Sequence, residues 1–146
     1  MDTLFRVIRL NNLLIKEGVI MFQVLHIQKS QMTKFITLLN LETGTKERVF
    51  DDSSVVSFHD FEFMKEGEIY DCKIELFGDF EKESGEEITI IERGILVGKR
   101  KYLKVQLNSD IYYVLEPDLP LSEKMYYVYT RKDLIQVDNA IHADCF

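Results

Sequence analysis

From Met21 onward the chain alternates apolar and polar residues with a period of two, the repeat of a strand whose side chains point to opposite faces. Phe22 to Gln28 and Lys34 to Leu41 are the first such runs, joined by polar Lys29-Ser30-Gln31-Met32-Thr33, and Glu42-Thr43-Gly44-Thr45 turns the chain into Lys46 to Phe50. Asp51-Asp52-Ser53-Ser54 reads as a turn or helix cap before Val55 to Met64, whose structure the pattern leaves open. Glu68 to Phe77 places Tyr70, Cys72, Ile74 and Leu76 on one face and Asp71, Lys73 and Glu75 on the other. Gly78 to Glu87 reads as a charged loop. Ile88 to Val97 and Lys99 to Leu107 are further strands, and Asn108-Ser109-Asp110 folds the second onto Ile111 to Leu115 as a hairpin. Pro117 and Pro120 end that unit; Lys124 to Thr130 and Leu134 to Val137 are a last pair of strands, or a strand and a short helix.

Many short strands and at most one or two short helices predict a mainly-β fold. The expected architecture is a small antiparallel OB-like barrel, which leaves few open sheet edges, spanning residues 21–146 as a single domain behind an N-terminal arm of residues 1–20. In the arm, Leu4, Phe5, Val7, Ile8 and Leu10 are apolar with Arg6 and Arg9 interleaved, which suits a segment that packs on a neighbouring subunit, or a helix or strand folded back on its own domain. A competing reading is that Lys16-Glu17-Gly18 is encoded by a purine-rich ribosome-binding sequence, so that Met21 is the natural start. The arm lacks a clean apolar core and a small-residue cleavage site, so it is not expected to be a secretion signal.

The 146 residues carry 46% hydrophobic content, enough for one cored domain. Two cysteines, Cys72 and Cys145, make neither a disulfide framework nor a zinc site, which points to a reducing cytoplasm. No apolar run is long enough to cross a bilayer as a helix, so no membrane partner is expected. The net charge of −7 is unevenly spread: residues 1–48 carry +3, residues 49–92 carry −11 and residues 93–146 carry +1. A basic face can therefore coexist with an acidic one.

Within the basic remainder, Lys99 to Leu107 is the most distinctive stretch. Alternation puts Leu103, Val105 and Leu107 inward and Arg100, Tyr102, Lys104 and Gln106 outward, a row in which an aromatic ring sits between cations. Bases stack on such rings while phosphates meet the charges, so Lys99, Arg100, Lys101, Tyr102, Lys104 and, from the returning strand, Tyr112 are the candidate nucleic-acid contacts. Of the adjacent pair, Tyr113 is expected in the core with Ile111 and Leu115. Lys34 and Phe35 are candidates to extend the surface, and most of Tyr126, Tyr127 and Tyr129, near Lys124, Arg131 and Lys132, are expected to be core. The plain alternative for the row is a solvated strand with one amphipathic tyrosine.

No catalytic residue, metal site or cofactor is assigned. His26, His59 and His142 are dispersed, and Ser57-Phe58-His59-Asp60 lacks a nucleophile elbow. Asp51-Asp52 and Glu86-Glu87 read as solvated carboxylates. The protein is expected not to be an enzyme.

The run Lys65-Glu66-Gly67-Glu68-Ile69-Tyr70-Asp71-Cys72-Lys73-Ile74-Glu75-Leu76-Phe77-Gly78, with the basic-aromatic hairpin, resembles OB-fold single-stranded DNA-binding proteins, including small ones carried by Gram-positive conjugative plasmids. The likeness spans residues 22 to 137 as a pattern and departs from the common bacterial type in having no tryptophan and no acidic-tipped tail. It implies coating of single-stranded DNA during plasmid transfer or replication, with duplex DNA and RNA left open as partners; self-association through the arm is expected from the arm's own apolar residues. The competing expectation is a noncatalytic protein-interaction module that docks through Glu81, Glu83, Glu86 and Glu87.

Overall fold

Period-two alternation of β-branched and aromatic residues favours strands over helices almost throughout. The computed structural model describes the backbone of residues 7–10 and 13–16, and residues 19–55, 60–118 and 120–146. Leu4 and Phe5 of the arm, and Ser57, Phe58 and His59, lie outside the described residues. The strands are β1 (Val7–Leu10), β2 (Leu13–Lys16), β3 (Met21–Ser30), β4 (Thr33–Asn40), β5 (Lys46–Asp51), β6 (Ile69–Glu81), β7 (Glu86–Val97), β8 (Arg100–Leu107), β9 (Asp110–Leu115), β10 (Lys124–Val137) and β11 (Ala140–Ile141). Two 3₁₀ turns, Ser53–Val55 and Ala143–Cys145, are the only helical segments among the described residues. None is long and apolar enough to cross a membrane.

The expected small antiparallel OB-like barrel is corrected by the sheet order. Nine strands form one mixed sheet, β11-β10-β5-β4-β3-β6-β9-β8-β7, in which β10 also pairs with β6 and β7. The sheet is not closed into a barrel by a continuous ladder: β5 meets β10 at one parallel bridge, Phe50 opposite Asp133, and β6 meets β9 at another, Glu75 opposite Tyr113. The resemblance of the Lys65–Gly78 run and the hairpin to OB-fold single-stranded DNA-binding proteins implied a closed barrel, and the open mixed sheet contradicts it. Strands β1 and β2 pair with each other as a separate two-stranded sheet.

Two of the differences from the sequence pattern have local causes. Lys124 to Thr130 and Leu134 to Val137 are one strand, because bulges at Tyr129/Arg131 and Leu134/Gln136 let β10 change register and run on along β6. Gly78 to Glu81 continues β6 instead of opening a loop. A Cβ at Gly78 would lie 1.9 Å from the Val128 carbonyl oxygen, so glycine is what lets β6 approach β10 at the first bulge.

The main core gathers Phe22, Val24, Ile36, Leu38, Val49, Ile74, Leu76, Leu103, Val105, Tyr112 and Leu134 from seven of the strands. A second, smaller cluster of Val97, Tyr102, Tyr113, Ile135 and Cys145 lies on the other side of β8 and β9. There β11 pairs with the end of β10, and the Ala143–Cys145 turn lies beside the start of β8, where the Cys145 carbonyl accepts from the Lys99 N–H at 2.5 Å. Part of the sheet is thus buried on both faces.

Candidate nucleic-acid interface

Alternation along β8 is as the sequence predicts, but one face has a different neighbour. Cross-strand pairs Lys104–Tyr113 and Tyr102–Leu115 share a face, and Val105–Tyr112 and Leu103–Val114 share the opposite one. The C-terminal segment covers the first face at Tyr102, which is 0% exposed, and Tyr112 at 3% belongs to the main core. Neither ring is open to a base, which corrects their assignment as stacking residues. Tyr113 is buried too, but in the second cluster on the Tyr102 face, opposite the main core where it was expected, and Leu115 is exposed. Lys99, Arg100 and Lys101 are exposed and Lys104 is half-buried. They form no common row: Arg100 lines a cleft shared with four carboxylates, and Lys104 lines a separate small cavity with Asp71 and Tyr113.

Both misplaced tyrosines do the same job inside. Tyr102 Oη donates to Glu75 Oε1 at 2.8 Å, and Tyr112 Oη donates to Glu47 Oε1 at 2.5 Å. Lys132 Nζ completes the second group, 2.7 Å from Glu47 Oε2 and 3.3 Å from Tyr112 Oη. Burial raises the Glu75 carboxyl above its usual range, opposed by the Tyr102 hydrogen bond. Burial, then the charge of Glu75, pushes the Tyr102 phenol far up; burial, then the hydrogen bond to Glu47, does the same to Tyr112. Tyr127 is also core and donates to the Leu76 carbonyl, whereas Tyr126 is exposed. Lys34 is buried, 3.1 Å from Glu62 and 3.7 Å from Asp51, so it does not extend the surface.

Phe35 lies on the outer face, and here the structure assembles a row the sequence reading did not. Phe35 of β4 pairs with Phe50 of β5, their ring centroids 5.3 Å apart. The Arg48 guanidinium lies over Phe35 at 3.7 Å, and that of Arg131 lies 4.5 Å from Phe50 and 4.9 Å from Phe77. Asp133 orients Arg131 through contacts of 2.5 and 3.0 Å. Phe77 is 49% exposed, and Phe35 and Phe50 are half-buried. Three rings and two guanidinium planes thus cross β4, β5, β10 and β6 as one platform. The alternation Lys46, Arg48, Phe50 was a readable signal for its centre; the meeting of Arg131 with Phe77 depends on strands far apart in sequence.

Beside the platform a cleft of about 240 Å³ is lined by Glu75, Phe77, Arg100, Leu115, Arg131 and the C-terminal segment. A second cavity of about 210 Å³ shares Glu75, Phe77 and Leu115 with it. At the cleft's edge Asp52, His142 and Asp144 place one ligand atom each within 4.8 Å of one another. His142 Nδ1 accepts from the Asp144 N–H, which leaves its proton on Nε2, facing Asp52 Oδ1 at 2.6 Å. Both ring nitrogens are engaged in tying the C-terminus to the β5 exit, and no metal role is assigned.

Comparison with protein-family models, with curated proteins and with solved structures finds no match.

Removing the Tyr102 hydroxyl tests the buried pair. The folded protein holds the Glu75 proton to higher pH than the unfolded chain does, so this group makes stability fall as pH rises above the ordinary carboxylate range. Tyr102→Phe keeps the ring but removes a donor that favours the ionised form. Urea denaturation should show a loss of about 1 to 3 kcal/mol near neutral pH, shrinking at pH values below that range. A loss independent of pH would show that the hydroxyl does not serve the carboxylate.

Proposed function

We propose that this protein binds single-stranded nucleic acid, with little regard to sequence, across the platform of Phe35, Arg48, Phe50, Arg131 and Phe77. The observation that carries the reading is the continuity of half-buried and exposed rings and guanidinium planes over four neighbouring strands. Bases stack on either kind of surface, and the same arginines meet phosphates. The arginines also shield the phenylalanine rings from water. No catalytic step is proposed. The two unpaired, buried thiols suit a reducing cytoplasm.

Fluorescence anisotropy with labelled dT₁₂ at two salt concentrations tests the platform. Phe50→Ala should cost about 1 to 3 kcal/mol of binding. Arg48→Ala should flatten the dependence of log K on log salt by about 0.7. Charge reversal at Glu81, Glu83, Glu86 and Glu87, exposed around the β6–β7 turn, should not weaken binding. Absence of dT₁₂ binding by folded protein at low salt would overturn the proposal and favour a protein partner for that acidic turn.

Self-association through the arm is part of the same proposal. Val7, Ile8 and Leu10 fall in β1, where the register sets Ile8 opposite Ile15 and Leu10 opposite Leu13. A two-stranded hairpin is marginal in water without something to pack on, and a second copy of the chain supplies it. Light scattering should find oligomers of the full chain and monomers after deletion of residues 1–18. A monomeric full chain would contradict this.

A further inference from the structure

We propose that the cleft between β6, β8 and β10 takes one unpaired guanine from a strand lying on the platform; this rests on the platform reading and adds a preference at a single position. The cleft opens where the platform ends, since Phe77 and Arg131 belong to both. Its size suits one base better than a larger ligand.

The charges of the wall discriminate between the parts of a nucleotide. Four carboxylates, Asp52, Glu75, Asp133 and Asp144, line the cleft against Arg100 and Arg131, which disfavours a phosphate and accepts a neutral base rich in donors. Asp133 is engaged by Arg131, and Asp52 by His142. Glu75 is buried, and its orientation is set by the Tyr102 hydroxyl on Oε1. Its carboxylate has acceptor capacity left, because each oxygen takes more than one hydrogen bond. Guanine is the base with two adjacent N–H donors, N1–H and the N2 amine, next to the O6 acceptor. The donors fit Glu75, and O6 fits Arg100 in the same wall. Cytosine and adenine present an amine beside an acceptor, and thymine a single N–H between two acceptors, so each leaves one partner unmatched.

The test compares labelled dT₁₂ with dT₁₂ carrying one central dG, dA, dC or deoxyinosine. The dG strand should bind about tenfold tighter than dT₁₂, and deoxyinosine, which lacks the N2 amine, should lose most of that gain. In Glu75→Gln the ratio of dG to dT affinity should fall toward one; the deoxyinosine comparison needs no variant and stands if that protein does not fold. Equal affinities, or a preference for dA or dC, would overturn the guanine site while leaving the platform intact. Failure of every strand to bind would overturn both.

Discussion

A carboxylate that leaves water must be met by donors, and of the four buried among the described residues, Glu47, Asp51, Glu75 and Asp110, two are met by tyrosine hydroxyls from the β8–β9 hairpin. Glu47 on β5 and Glu75 on β6 each receive a tyrosine hydroxyl, from Tyr112 on β9 and Tyr102 on β8, and Lys132 on β10 joins the first. These strands are distant in sequence, and β5–β10 and β6–β9 share only one bridge each. The Lys132–Glu47 contact therefore reinforces the thin β5–β10 junction, while the tyrosine contacts tie the β8–β9 hairpin to β6 and β5. An unpaired buried carboxylate would cost several kcal/mol, so the geometry of the tyrosine hairpin is set by the acids it serves.

The positions of the strands were readable because period two is a local property. Phe22 to Gln28, Lys46 to Phe50 and Lys99 to Leu107 each fall within a residue or two of β3, β5 and β8. What lay on the other side of a strand was not readable. For Tyr102 the alternation is right and the inference wrong, because residues 140–146 return to cover that face. For Tyr112 and Tyr113 the reading was off by one residue, which exchanges the two faces. The barrel failed for a related reason: sheet order depends on pairings between distant segments, and nothing in the alternation specifies that β10 should serve β5, β6 and β7 together.

The outer platform shows the same limit from the other side. Lys46, Arg48 and Phe50 have the cation-aromatic alternation seen at Lys99 to Leu107, and here the face stays open because no later segment covers it among the described residues. Phe35 was visible as a candidate. Arg131 and Phe77 are joined to it only by the bulged pairing of β10 with β6, for which Gly78 leaves room. Accessibility, more than residue type, separates a tyrosine that holds a core together from a phenylalanine left on the outer face.

The most direct measurement is a titration of tyrosine absorbance at alkaline pH, followed together with a probe of folding. The chain has seven tyrosines. With Tyr102 and Tyr112 shut inside against glutamates, and with burial raising Tyr127, these three should ionise only as the protein unfolds, in one cooperative step, after Tyr113, which burial pushes up to about 12. The step should lose amplitude in Tyr102→Phe and in Tyr112→Phe. If either variant instead removes a phenol that titrates in the ordinary range while the protein is still folded, that tyrosine faces solvent and the account is wrong.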